Sequence, residues 1–368
     1  MKKVRVEDAV GMTLCHDLTE MKNGFKGTAF RRGHVITEAD IPHMLDIGKQ
    51  HVYIWEEGKG EIHEEDAARR LAALMSLAGT HQEGPSEGKI LIISDASGML
   101  RVNVPLLSRL NRIGDITVST LPDHYPVEPG MRLASMRIVP LVTQESQIIE
   151  AEKLCRGEKV LDLLPYRSRR AGVIITGAEV YSGRIKDLFE PVCRSKLARY
   201  PGEIVGVALC DDKLGMLVTA ARDMLNKGAD FLIFSGGMSV DPDDLTPAAI
   251  RELGCEVVSY GVPSQPGNMT LMAYLRAGVL PSGAQAGGQA RAERLNASLS
   301  FNESSGDIPV IGVPGAAITM PTTIFDVLLP QIYTGVPLTE DDLVRLGDGG
   351  LCQQCRPCHF PNCTFGRY

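Results

Sequence analysis

No apolar run in this 368-residue sequence reaches the roughly 20 residues needed to cross a bilayer, because charge or glycine interrupts each one first. The basic start, Met1-Lys2-Lys3, has no apolar segment behind it, so no secretory leader is expected. Positive charge is also scarce. Lys and Arg total 38 against 45 Asp and Glu, giving a formal net charge of −7, which argues against general affinity for nucleic acid. No internal repeat is found. These absences favour a cytoplasmic protein with neither membrane nor nucleic acid as a partner. The remaining composition, 44% hydrophobic and 23% charged, is that of an ordinary globular chain long enough for two or three domains.

The sequence has nine cysteines, and their placement divides them. Cys15, Cys155, Cys193, Cys210 and Cys255 are scattered, mostly in apolar stretches, as small core or near-surface thiols are. Cys352, Cys355, Cys358 and Cys363 crowd the end of the chain as Cys-x-x-Cys-x-x-Cys-x-x-x-x-Cys, beside His359. In a reducing compartment such spacing points to metal thiolates rather than disulfides. Short turns bring successive sulfurs to one side, which suits one Zn²⁺ or an iron–sulfur cluster; the alternative is a tail of reduced thiols.

Periodicity sets the organisation. A first α+β segment covers 1–62, with a capping box at Thr37-Glu38-Ala39-Asp40, a C-cap at Gly48 and a strand at Val52-Tyr53-Ile54. A second α/β unit covers 63–168: an amphipathic helix over 64–77, a polar connection over 82–88, strands at 90–93, 116–118 and 138–142, and a helix over 104–110. A third domain covers 169–336. There strands (172–175, 204–209, 231–234, 256–260) alternate with helices (185–197, 214–225, 247–253), the pattern of a parallel, helix-covered sheet. Residues 281–307, rich in Gly, Ala and Ser, are expected to form a flexible insertion, and 337–368 a tail.

Three glycine turns follow apolar runs in the third domain: Thr176-Gly177-Ala178-Glu179, Ser235-Gly236-Gly237-Met238-Ser239 and Pro314-Gly315-Ala316. At the C-terminal edge of a parallel sheet, such turns present backbone N–H groups to an anionic ligand. Asp211-Asp212 and Asp243-Asp244 stand close by. Asp211 and Asp244 are candidates to hold Mg²⁺ against phosphate oxygens or to position a water, with helix caps as the alternative. Asp212 and Asp243 are expected to be surface neighbours. Asp187 fits pocket or cap equally, and Glu179 fits a ligand contact or a charge partner for a helix N-terminus.

Taken in order, Thr176-Gly177-x-Glu179-Val180, Gly183-x-Ile185-x-Asp187, Asp211-Asp212, Ser235-Gly236-Gly237-x-Ser239, Asp244, Pro266-Gly267 and Pro314-Gly315 resemble the molybdopterin-binding domain of molybdenum-cofactor biosynthesis proteins. The resemblance covers roughly Ala171 to Pro330. Segments up to Leu163 look like a divergent form of the preceding domains of the molybdopterin molybdenumtransferase family. The resemblance implies a three-layer α/β/α domain with a mostly parallel sheet, preceded by smaller α+β domains. It implies molybdopterin or adenylylated molybdopterin as ligand, molybdate as co-substrate, and a homodimer. Thr176, Gly177, Glu179, Ser235, Gly236, Gly237, Ser239, Pro266, Gly267, Pro314 and Gly315 would line the pocket, with Mg²⁺ on Asp211 and Asp244. Three departures bear on catalysis. Gln265 stands where the family carries lysine, Ala316-Ala317 where it carries asparagine and proline, and the Ser-x-Met-Asp-Gly-Tyr segment is absent. A carrier or sensor of the pterin is the alternative activity.

Overall fold

A computed structural model describes residues 2–22, 25–54, 60–276 and 306–367. The expected insertion at 281–307 lies outside the described residues apart from Gly306 and Asp307. The chain divides into two compact units, and the second is discontinuous in sequence. The first holds Met1–Ala96, Val102–Leu121 and Glu128–Leu163; the second holds Ser97–Arg101, Pro122–Val127 and Leu164–Tyr368.

In the first unit, Val6, Leu14, Met44 and Val52 close a small core beneath the antiparallel pairing of Lys2–Arg5 with His51–Ile54. Further along, a four-stranded antiparallel sheet runs in the order Thr80–Ser86, Lys89–Ser94, Arg132–Ile138, Ile116–Thr120. The amphipathic helix Glu64–Met75 packs on it through Ala67, Ala68, Leu71 and Met75. Two local expectations need correction. Residues 82–88, expected as a polar connection, belong largely to the strand Thr80–Ser86, whose residues pair with those of Lys89–Ser94. An edge strand needs only one buried neighbour, so its polar composition gives no sign of it. The strand expected at 138–142 ends at Ile138 and a separate short strand begins at Val142.

The second unit is built on one six-stranded sheet, its strands numbered here β1 Arg169–Thr176, β2 Gly202–Cys210, β3 Phe231–Ser235, β4 Glu256–Tyr260, β5 Leu271–Leu275 and β6 Ile308–Val313. The spatial order is β2-β1-β3-β6-β5-β4; β2, β1, β3 and β6 pair in parallel, and β5 is antiparallel to both its neighbours. Alternation along the strands separates two cores. Val173, Ile175, Phe231, Ile233, Ile311 and Val313 face one side, against Phe189, Cys193 and Leu197 and against Phe325, Leu328 and Ile332. Ile174, Leu232, Phe234 and Val310 face the other, against Leu217, Val218, Ala221 and Met224 and against Ala249 and Ile250. The four helices involved are α1 Phe189–Leu197, α2 Leu214–Asn226, α3 Thr246–Glu252 and α4 Ile324–Thr334. Helices on both faces of a mostly parallel sheet make the expected three-layer α/β/α sandwich, and burial on both faces is why the central strands read as continuous apolar runs.

Close approach of helix and sheet is set by small residues. A Cβ on Gly172 would lie 2.5 Å from Met224 Cβ, and one on Gly206 would lie 2.7 Å from the Met224 sulfur. On the opposite face, Lys196 of α1 reaches Asp326 of α4 with Nζ 2.6 and 2.7 Å from the two carboxylate oxygens, and it also donates to the Pro321 carbonyl at 3.0 Å. Both side chains are almost wholly buried. Asp326 further accepts from the Thr323 N–H at 2.8 Å, completing the capping box that starts α4. The scattered cysteines behave as core thiols: burial pushes Cys15 and Cys210 up to about 11 and Cys193 and Cys255 up to about 12.

Candidate functional site

The parallel register places the strand exits in one row. Thr176 pairs with Cys210, Ile175 with Ser235, and Ser235 with Val313, so the chain leaves β1, β2, β3 and β6 at a common edge. Strand β4 runs the same way, since Tyr260 pairs with Leu271 and Leu271 with Gly312. Five segments therefore emerge side by side: Gly177–Glu179, Asp211–Lys213, Gly236–Ser239, Gly261–Thr270 and Pro314–Ala316. All the pocket and acidic residues expected from the sequence lie in these segments or on the strand ends beside them, except Asp243 and Asp244, which sit in the turn leading into α3, and Asp187, which lies just before α1.

The first turn is organised by Asp212. Its carboxylate accepts the Thr176 hydroxyl at 2.6 Å and the Ala178 N–H at 2.9 Å. The expectation of a surface neighbour is thus corrected. Thr176 is buried and its hydroxyl needs a partner, and Asp212 is the residue whose side chain reaches it from the neighbouring strand exit. Asp211, by contrast, is bound to the exposed ammonium of Lys213 at 2.7 Å, and that hydrogen bond holds its carboxyl below the usual range. Glu179 is exposed in the short helix Ala178–Tyr181. Asp187 is a cap: it accepts from the N–H groups of Phe189 and Glu190 at 2.9 and 2.8 Å, which delays the start of α1 to Phe189 from the expected 185. Replacing Asp212 with alanine would strand the Thr176 hydroxyl and the Ala178 N–H. Urea unfolding is expected to register a loss of about 1–3 kcal/mol.

The second turn is fixed from three directions. Gly236 and Gly237 have φ of 88° and 56°, the left-handed region that glycine enters without a Cβ penalty. Buried Thr246 grips both carbonyls, with its hydroxyl donating to Gly236 O at 2.8 Å and its N–H to Gly237 O at 3.2 Å. The Tyr260 hydroxyl donates to Met238 O at 2.9 Å and lies 3.2 Å from Ser239 O. With the carbonyls engaged, the N–H groups of Gly237, Met238 and Ser239 make no backbone hydrogen bond among the described residues. Ser235 is buried and Ser239 exposed. Asp244 is half-buried and held in a local turn, its N–H donating to Asp241 O at 3.0 Å and its carboxylate accepting from Asp241 N–H at 3.3 Å.

The loop between β4 and β5 is tied down at Pro266 and Gly267. Pro266 O accepts the Ile324 N–H at 3.2 Å, and Gly267 O accepts the Thr270 hydroxyl at 2.8 Å. A Cβ on Gly267, whose φ is 112°, would lie 2.7 Å from the Ile324 side chain. Pro314 and Gly315 lead into the short helix Ala316–Thr319, where Ala317 is buried. Sequence reasoning missed Thr246 and Tyr260. A threonine directly before the Pro247 that opens α3 was the available signal for the first, and nothing local marks the second.

Among the described residues, no three His, Cys, Asp or Glu side chains are grouped as a metal ion would require. This covers Asp211 and Asp244 as well as Cys352, Cys355, Cys358 and Cys363. Cys355 and Cys358 are exposed, and Cys352 and Cys363 partly so. Among the described residues, no helix is long and apolar enough to cross a membrane.

Residues 172–334 match a family model described as a probable molybdopterin binding domain, and residues 3–56 match one described as a domain of unknown function. A CinA-like protein of Mycobacterium sp. (strain JLS) is 34% identical over 92 residues, which are 25% of this chain and 22% of that protein. The chain thus spans less than a quarter of that relative's length. Two solved structures are similar to part of the chain. The tungsten cofactor synthesizing protein MoaB from Pyrococcus furiosus aligns at 16% identity and a TM-score of 0.30, over 42% of this chain and 87% of that one. The protein CinA of unknown function from Thermoplasma acidophilum aligns at 15% identity and a TM-score of 0.28, over 40% and 89%. The family match identifies residues 172–334 as a probable molybdopterin binding domain.

Proposed function

We propose that the common strand edge binds molybdopterin, or its adenylylated form, and inserts molybdate with Mg²⁺-assisted cleavage of the phosphoanhydride, as a molybdenumtransferase does. The observation that carries this reading is the shared register of Thr176, Cys210, Ser235 and Val313, which brings the glycine turns and the acidic segment to one side of the sheet. The N–H groups of Gly237, Met238 and Ser239 are the donors for phosphate or molybdate oxygens, and their preorganisation by Thr246 and Tyr260 means no ordering cost at the moment of binding. Thr176, Gly177 and Glu179 adjoin it on the β1 side, with the Pro314-Gly315 turn beyond β6 and the Pro266-Gly267 loop beyond β4 on the other.

The acidic residues fit Mg²⁺ in kind. That ion keeps several waters and takes one or two carboxylates plus substrate phosphates, so Asp211 and Asp244 suffice without a third protein ligand. When bound, it would neutralise phosphate charge and polarise the anhydride. Asp211 is held ionised by Lys213, which would give way to metal and substrate. The proposed setting is the cytoplasm and the proposed working unit a homodimer.

A second reading, a non-catalytic carrier or sensor, is favoured by Ala316-Ala317 and by Gln265, which supply neither the amide nor the cation expected there. Calorimetry with adenylylated molybdopterin, repeated with molybdate and Mg²⁺ while following AMP release, decides between the two. Binding with molybdate-dependent AMP release is expected. Binding without release selects the carrier, and no binding removes both.

A further inference from the structure

The four tail cysteines take no part in the proposed reaction, yet the segment carrying them is fixed at both ends. At its start, the Gln265 N–H donates to Gly350 O at 2.7 Å and Gln265 O accepts the Cys352 N–H at 2.8 Å. At its end, the Gly366 N–H returns to Gly349 O at 3.0 Å, Phe365 is buried, and the Arg367 guanidinium lies 4.4 Å from the Tyr125 ring centre. Between these anchors, residues 353–359 form no helix or strand and are exposed. Ordering a backbone costs about 1–2 kcal/mol per residue, and this loop has no apolar core of its own to offset that cost.

Two of its sulfurs are already engaged. The Gln354 N–H points at Cys352 Sγ at 3.4 Å, and Gln354 sits at φ 53°, a left-handed conformation uncommon outside glycine. Thr322 Oγ1 lies 3.2 Å from Cys358 Sγ, close enough to donate to it. Hydrogen bonds of this kind to sulfur orient metal-bound thiolates.

We infer that Cys352, Cys355, Cys358 and Cys363 bind one Zn²⁺ as a tetrathiolate, closing the tail into a compact loop. The sulfurs do not surround a common point before the ion arrives; the gaps of two, two and four residues allow them to do so. Zinc needs only four deprotonated thiols and tetrahedral space, with no inorganic sulfide to be delivered. His359 is left outside the ligand set. Because Gln265 is gripped by the tail on both its N–H and its C=O, the ion would also steady the adjoining Pro266-Gly267 loop, a consequence that rests on the proposed function whereas the metal site does not.

Elemental analysis of the full chain, purified under reducing conditions and supplied with Zn²⁺, tests the site. About one zinc per chain is expected. The double variant Cys355→Ser/Cys358→Ser should lose it while keeping its circular dichroism, and His359→Ala should keep it. Substitution of the native chain with Co²⁺, followed by absorption spectroscopy, gives a second readout that needs no variant: an intense sulfur-to-cobalt charge-transfer band is expected. A chain without zinc uptake, iron with acid-labile sulfide in place of zinc, full zinc in the double variant, or no thiolate band with Co²⁺ would each overturn the assignment. If chelation removes the zinc without altering pterin affinity, the metal site stands and only its link to the loop is lost.

Discussion

Gly236→Val is expected to abolish pterin binding and to lower stability by about 2–4 kcal/mol. A Cβ at this position would lie 2.2 Å from the backbone oxygen of Thr176 and 3.1 Å from its carbonyl carbon, and φ is 88°. Neither neighbour is a flexible side-chain tip that can swing away. The oxygen is part of β1 at its last ladder position, so relief must come from moving the second turn outward or breaking the exit of β1. Either displaces the Gly237–Ser239 N–H groups from their shared side of the sheet, and an anion site built from backbone donors has no side chain to compensate. Gly215→Val, in α2 and outside the pocket residues, is the control, because nothing lies within 4 Å of a Cβ there and φ is not in the left-handed region. Calorimetry should find binding below detection for the Gly236 variant and near normal for the control, with urea unfolding reporting the stability difference. Equal losses in the two would show that the clash at Thr176 does not organise the site.

The second large effect is on folding. Asp326→Ala is expected to cost about 3–5 kcal/mol, since it leaves the Lys196 ammonium buried without its counter-charge. It also removes the acceptor of the capping box at Thr323, the first turn of the helix that holds Pro266 O. The pair as a whole is a different matter. Two buried ions are desolvated to make this contact, so the double variant Lys196→Met/Asp326→Leu should recover much of the stability lost in the single one. What it should not recover is the cap. The Pro266-Gly267 loop would then be less firmly held, seen as faster hydrogen exchange at Ile324 and Thr270 even where the unfolding midpoint returns. A single variant indistinguishable from the native chain in urea would show that water reaches the pair and screens it.

The sheet was legible because burial on both faces of parallel strands forces runs such as Val173-Ile174-Ile175 and Phe231-Leu232-Ile233-Phe234, which resemble little else. The glycine turns were legible because glycine takes the backbone angles of Gly236 and Gly237 far more readily than other residues do. What escaped depends on distance across the fold. Asp211 and Asp212 look alike as neighbours in sequence; which one grips Thr176 is decided by the pairing of β1 with β2, a contact between segments 36 residues apart. Tyr260 holds Met238 from 22 residues away, from a strand on the far side of β5 and β6. The first-unit strand Thr80–Ser86 escaped for another reason. Its sequence, THQEGPS, has no apolar alternation, and only its partner's hydrogen bonds make it a strand.

The interleaved composition of the second unit constrains how it can be made and cut. Tyr125 belongs to that unit, and its hydroxyl meets Asn362, 237 positions further on, while its ring carries Arg367. A ribosome therefore releases the aromatic residue long before the residues that cover it, and this corner stays unfinished until Asn362 and Arg367 have emerged. Expressing 164–368 by itself would leave Arg367 over Phe360 alone, and a cut before Asn362 would bare Tyr125 on the other side of the same contact.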